Sequence, residues 1–262
     1  MTEKEKMLAH VLYDANYDNQ LIEERTACKL LCQTYNQLPV DDFEQRSKVI
    51  HQILGKCGQS VNIEPGFWCD YGWNIEVGEC FYANHGLVIL DEGRVTFGNH
   101  VFIGPSCGFY TARHPMDVQR RDKGLEYALD ITVEDHVWIG AGVHVLAGVT
   151  IGEGSIIGAG SVVTKDIPAY CVAAGNPCRV IRQIQPFLKT RRLLLRPWED
   201  NDAYSLFTYA KDPSVGPIAG WPPHQNLDES KEIIRTVFHK EETYAICLKE
   251  ENIPIGAIDL KM

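Results

Sequence analysis

The residue types best suited to chemistry lie in the stretch FYTARHPMD, positions 109–117. His114 carries a base whose ordinary pKa lies near neutrality, so it can take a proton from a poor nucleophile such as a hydroxyl group. Pro115 follows it and biases the His114 backbone toward an extended conformation, which helps to hold the ring. A solvent-exposed loop histidine would leave the same mark. Cys107 lies nearby and raises a covalent route as the less favoured choice. His136 and His144 fall within a repeat, and His85 and His100 near its turns. Structural roles are expected for these four, and no metal is expected.

The stretch interrupts a regular pattern. Ile139, Val145, Ile151, Ile157 and Val163 are each six residues apart, as are Gly142, Gly148, Gly154 and Gly160. Phe97-Gly98 and Ile103-Gly104 keep the same step upstream. A period of six fits neither an amphipathic helix nor an alternating strand. It implies one short strand and one tight turn per repeat, the aliphatic residue pointing inward and the small residue permitting the turn. Such coils bury their core only by stacking on one another. The expected fold is therefore mainly β, a parallel β-helix (a hexapeptide solenoid) over residues 57–188.

Two other regions flank it. Residues 1–56 read as an N-terminal helical segment, with Met7, Leu8, Val11 and Leu12 on one stripe, a second helix after DANYDN, and a third capped by Asp41 or Asp42. Cys28 and Cys32 share a face of the second helix. Residues 189–262 lose the period and read as an α+β module: strand, turn, helix, another helix, then two strands joined by a polar hairpin.

Composition narrows the function classes. The chain has 262 residues, with 25 Lys plus Arg against 35 Asp plus Glu and a net charge of −10. That balance disfavours non-specific binding to nucleic acid or to an anionic membrane. No apolar run is long enough to span a bilayer, and the charged N-terminus does not read as a secretory signal. Nine scattered cysteines without a C-x-x-C pair fit reduced thiols in a cytoplasmic protein.

Several motifs occur in a fixed order: KMLAHVLYDANYD, FWCDYGWNIEVG, FYANHGLVILDEG, TARHPMD, ITVEDHVWIGAGV, GAGSVVTKDIP and AAGNPCRVIR. In this order they resemble the maltose, glucose and galactoside O-acetyltransferases, from residue 3 to about 184. The resemblance implies a left-handed coil, although the usual rule for parallel crossovers would give the other hand. It implies a homotrimer with active sites between subunits, acetyl-CoA as donor, and a sugar hydroxyl, favoured as the primary C6 group, as acceptor. His114 would be the general base for direct attack in a ternary complex. Asp14, Asp70, Asn84, Glu92 and Glu126 fall at acceptor positions. Asp70 matches maltose- or glucose-type relatives, where galactoside-specific ones carry Ser. At Glu92 the galactoside pattern has Asp, which Asp91 beside it matches. The Ala141 amide falls near the thioester carbonyl, Ala159, Thr164 and Lys165 along the pantetheine arm, and Arg179 and Arg182 near the nucleotide. Trp138 would wall the thioester pocket or pack between coils. A carbonic-anhydrase branch of this fold carries two histidines five apart, and no pair here has that spacing.

RRLLLRPWEDNDAYSLFTYAKDP with TYAICLKEENIPIGAIDLKM resembles the first half of a GCN5-related N-acetyltransferase. The pyrophosphate loop [QR]-x-x-G-x-[GA] of that family is not found, so an independent N-acetyltransferase activity is not expected. Three roles remain open for the module: fusion remnant, interaction module, or half-domain completed by another chain. Its last strand would expose an unpaired edge unless covered.

Overall fold

The computed structural model describes residues 1–184, 188–216, 221–238 and 243–259. The chain divides into two compact units, Met1–Ile184 and Gln185–Met262.

The first unit is a parallel β-helix with three walls. One wall stacks Trp68–Cys69, Val88–Leu90, Gly108–Tyr110, His144–Leu146 and Val162–Val163. A second stacks Lys56–Cys57, Ile75–Val77, Val95–Phe97, Ile131–Val133 and Thr150–Ile151. The third runs from Val61–Ile63 through Phe81–Ala83, Phe102–Ile103, Trp138–Ile139 and Ile156–Ile157 to Cys171–Ala174. Arg179–Gln183 closes that wall in antiparallel fashion.

The six-residue step explains the core. Ile139, Val145, Ile151, Ile157 and Val163 are all fully buried. Register keeps like on like: Phe97 pairs with Val133, and Val133 with Ile151. The glycines have two distinct duties. Gly142 sits at φ +64°, a left-handed turn with open space where a Cβ would lie. Gly140 has an ordinary φ, but a Cβ there would fall 2.7 Å from the Ala159 amide nitrogen of the next coil.

Three helices cap the coil: α1 (Glu3–Leu8), α2 (Asn19–Gln37) and α3 (Phe43–Ile53). Thr2 and Glu5 form a capping box on α1, Asp18 caps α2, and Asp42 caps α3. Cys28, Cys32 and Tyr35 of α2 and Ile50 and Ile53 of α3 join the same core as the coil aliphatics. The expected stripe through Val11 and Leu12 does not form. His10 adopts φ 57°, α1 stops at Leu8, and Leu8 and Val11 are exposed while Met7 is buried.

The second unit pairs Leu188–Lys189, Leu193–Pro197, Thr243–Leu248 and Pro254–Asp259 in antiparallel order. Helices Ala203–Ala210 and Leu227–Ile233 accompany the sheet. Trp198, Leu206, Ile234 and Cys247 form its core, and buried Arg196 grips Asp202 with two bonds of 2.6 and 2.7 Å. Pro254–Asp259 lies at the sheet edge among the described residues.

The two glycine duties separate by substitution. Gly140→Ala forces a Cβ into backbone and is expected to cost about 1–3 kcal/mol, as overpacking does. Gly142→Ala carries only the left-handed backbone penalty, roughly 1 kcal/mol. Thermal unfolding of the two variants should rank Gly140→Ala as the less stable, and the reverse order would contradict the stacking argument.

Candidate active site

The interruption after Tyr110 is itself folded. Ala112–Arg113 pairs with Leu125–Ala128, and Leu125–Ala128 pairs on its other edge with Tyr13–Asp14 of the N-terminal cap. Tyr13 lies opposite Glu126, and Asp14 opposite Leu125. A short helix, α4 (Val118–Asp122), capped by Asp117, fills the tip. His114 therefore stands on a braced hairpin.

Its ring is oriented. Nδ1 of His114 lies 3.3 Å from the Leu125 carbonyl oxygen. A carbonyl only accepts, so this bond is made with a proton on Nδ1, the tautomer that in a neutral ring leaves the lone pair on Nε2. Nε2 lies 3.8 Å from Oε1 of Glu126, and the His114 side chain is 52% exposed. The Tyr13 hydroxyl donates to Oε2 of Glu126 at 3.1 Å. Burial, then the charges of Glu126 and Glu92, hold the Tyr13 phenol protonated, well above its ordinary range. Asp14 is a turn carboxylate here: its Oδ1 accepts from the amides of Asn16 and Tyr17.

Behind this hairpin lies an acidic group on the coil. Asp70 is 9% exposed and bonds Lys29 of α2 at 2.8 Å. Glu92 is buried beside it. Burial first, and the facing Asp70 carboxylate second, push the Glu92 carboxyl well above the usual range. Burial and that neighbour thus favour the protonated form of Glu92. Asp91 is different. It is fully buried, and its Oδ1 accepts from the amides of Asp70 and Tyr71, each at 2.9 Å. Asp91 fixes the backbone that presents Asp70, while Glu92 is the acid that meets the Asp70 side chain.

The remaining positions lie on another corner, after the third wall. Asn84 lines a cleft of about 360 Å³ with Tyr82, Phe102, Ile103, Gly104 and Trp138. Trp138 is 55% exposed at its mouth, so it walls the cleft rather than filling the space between coils. Gly104, Gly140 and Gly158 leave the corner below Asn84 bare of side chains. Ala141 and Ala159 stand on it in successive coils, linked by the Gly160 amide donating to the Ala141 carbonyl. Both alanines are exposed, and among the described residues no protein acceptor takes the Ala141 N–H. Thr164 and Lys165 are exposed after Val162–Val163. Arg179 and Arg182 are exposed on the closing strand, with Arg179 Nη1 on the Cys178 carbonyl. The chain thus brings His114 and Glu126 together, and Asp70 with Glu92, and gathers Asn84, Ala141 and Ala159 on a separate corner.

Comparison with known proteins fits this layout. Residues 6–58 match the maltose acetyltransferase hexapeptide capping motif, 130–165 the bacterial transferase hexapeptide (six repeats), and 192–262 the acetyltransferase (GNAT) domain. The inferred acetyltransferase YJL218W of Saccharomyces cerevisiae is 53% identical over 69% of this chain and 92% of its own. A maltose O-acetyltransferase structure from Clostridium difficile 630 is 47% identical, with a TM-score of 0.70 over 71% of this chain and 99% of that one. This chain belongs to the maltose and galactoside O-acetyltransferase family. A galactoside acetyltransferase in complex with coenzyme A is 40% identical, with a TM-score of 0.68 over 71% of this chain and 92% of that one. A Vibrio cholerae hexapeptide-repeat acetyltransferase, complexed with acetyl coenzyme A, is 35% identical, with a TM-score of 0.65 over 71% of this chain and all of that one. The chain is an acetyltransferase of this type, with acetyl-CoA as co-substrate.

Sequence reasoning missed the residues that brace the candidate site. Tyr13 sits inside the motif KMLAHVLYDANYD, but its bond to Glu126 spans 113 positions. Leu125 acts through its carbonyl, which no side-chain pattern reveals. The charge on Lys29 gave no pointer to Asp70. Cys107 is 1% exposed and donates to the Gly140 carbonyl at 3.1 Å, with burial raising its thiol pKa. A buried, protonated thiol is a poor nucleophile. The coil histidines pair with neighbours: His100 stacks on His136 at 5.0 Å, and His144 meets the Tyr110 hydroxyl at 3.0 Å. No helix among the described residues is long and apolar enough to cross a membrane.

Asp91 makes stability pH-dependent. Burial raises its carboxyl to about 7 in the folded chain, against an ordinary value of 3.8. Between roughly pH 4 and 7 the folded state holds the extra proton, so this group's contribution is full below pH 4 and is lost as pH rises through 7. Asp91→Asn keeps an oxygen for the two amides and removes the titration. The variant's unfolding free energy should decline less between pH 4 and 7 than that of the parent, by on the order of a few kcal/mol. Parallel curves in urea melts would refute the assignment.

Proposed function

We propose that this acetyltransferase acts on a sugar of maltose or glucose type and acetylates its primary C6 hydroxyl. Nε2 of His114 takes the hydroxyl proton as the oxygen attacks the thioester carbonyl of acetyl-CoA. The Ala141 N–H receives the charge that develops on the carbonyl oxygen. The tetrahedral species collapses to the ester, and the CoA thiolate leaves with the proton held by His114. No acyl-enzyme is required, in keeping with the burial of Cys107.

The observation that carries this reading is the oriented ring of His114, its Nδ1 tied to the Leu125 carbonyl and its Nε2 free and half-exposed beside Glu126. Asp14, Asp70, Asn84, Glu92 and Glu126 supply the short polar groups that fix sugar hydroxyls. Asn84 and Ala141 lie on a different corner from His114. A homotrimer in which one subunit's hairpin reaches the neighbour's corner unites the two sets. Ala159, Thr164 and Lys165 then follow the pantetheine arm, and Arg179 and Arg182 the phosphates.

The test is CoA release from acetyl-CoA over a panel of mono- and disaccharides. His114→Ala should lower kcat about 10²–10⁴-fold, with the oligomer unchanged by size-exclusion chromatography. Near-normal turnover would sink the general-base role. Lys165→Glu should raise the KM for acetyl-CoA about tenfold, a change of roughly 1.4 kcal/mol, and leave the KM for the sugar unchanged.

A further inference from the structure

Cys28, Cys32 and Cys69 are absent from the chemistry above, yet they converge. Cys28 and Cys32 are one helical turn apart on the buried face of α2. Cys69 meets them from the strand Trp68–Cys69 of the first wall. Its sulfur lies 3.5 Å from that of Cys28 and 3.7 Å from that of Cys32, and all three sulfurs lie within 4.8 Å of one another. The three residues are 5%, 0% and 2% exposed.

Packing alone accounts for one buried cysteine, as it does for Cys107 or Cys171. Three sulfurs facing one another from two elements form a donor set. In a tetrahedral zinc centre with Zn–S bonds of about 2.3 Å, neighbouring sulfurs are separated by roughly 3.8 Å. The distances measured from Cys69 fall close to that edge. Soft thiolates select zinc or monovalent copper, and a disulfide between two of the three would leave the third sulfur without a role. Three thiolates also leave one position on zinc for an added ligand, or complete a trigonal copper site.

We propose that Cys28, Cys32 and Cys69 form a binding site for one thiophilic ion, Zn²⁺ or Cu⁺, that clamps α2 to the first wall of the coil. Binding replaces three S–H bonds with three metal–sulfur bonds and releases the three protons to solvent. The clamp lies one residue from Lys29 on α2 and from Asp70 on the coil, and these two already bond at 2.8 Å. The ion therefore fastens the two elements beside an existing ionic contact. No step of the acetyl transfer passes through it.

The full chain would be unfolded with a phosphine reductant present, stripped with chelator, and refolded without oxygen with Zn²⁺ alone or Cu⁺ alone. Metal content after desalting and the thermal midpoint are then measured. About one ion per chain and a raised midpoint are expected for at least one of the two metals, and the arm that shows them identifies the ion. Cys69→Ser and the double variant Cys28→Ser, Cys32→Ser should bind at least roughly tenfold more weakly, and Cys107→Ser should bind like the parent. Should the serine variants not refold, a cobalt titration of the parent gives an independent readout, because cobalt–thiolate absorption appears only on sulfur ligation. Substoichiometric metal in both arms, equal binding by Cys69→Ser, or a chain lighter by two hydrogens with no metal would each overturn the proposal.

Discussion

The close stacking of coil on coil is the constraint from which the rest follows. Each turn must present an aliphatic side chain inward, and at the tightest corners it can present nothing outward. Gly104 and Gly140 show the second half: a Cβ on either would lie within 2.6–2.7 Å of a backbone nitrogen in the next coil. A wall built this way is stiff and mostly spoken for. Groups that move protons therefore have to come from places where the period is broken, at the N-terminal cap and at the hairpin between Tyr110 and Asp130.

The two departures support each other. The hairpin would be a long surface excursion by itself, but Tyr13–Asp14 adds a strand to its edge and the Tyr13 hydroxyl reaches Glu126. The cap is held in turn by burying Cys28, Cys32 and Tyr35 against coil aliphatics. A change in the packing under α2 thus has a physical route to the ring of His114: cap to edge strand, edge strand to Leu125–Ala128, and the Leu125 carbonyl to Nδ1.

Much of this architecture was legible because the repeat expresses one steric rule many times over. Ile139 through Val163 and the glycines between them lie where a six-residue period puts them, and of the two candidate caps, Asp41 and Asp42, it is Asp42 that caps the third helix. The first helix ends earlier than its hydrophobic spacing predicts, because one residue in the left-handed region, His10, stops a pattern that spacing alone would continue. At the site, residue types pointed to His114, whose role stands on the proposed reaction. Its partners were not legible. The Leu125 carbonyl has no side-chain signature, and Tyr13 and Glu126 meet only after the chain has folded. Asp91 and Glu92 are adjacent and chemically alike, and only burial and hydrogen bonding tell the brace from the acid.

That distinction bears on how the acidic corner would hold the neutral sugar of the proposed reaction. Two ionised carboxylates offer acceptors alone, whereas a sugar hydroxyl both donates and accepts. Burial keeps a proton on Glu92 beside Asp70, so the pair presents one donor among its acceptors. Lys29 adds a cation at 2.8 Å from Asp70, on the side of the pair away from the proton that burial favours on Glu92. Asp91, spent on the amides of Asp70 and Tyr71, fixes the backbone from which Asp70 meets Glu92. In the proposed reaction the corner thus arrives with its donors and acceptors already arranged, and the proton that moves during catalysis is left to His114.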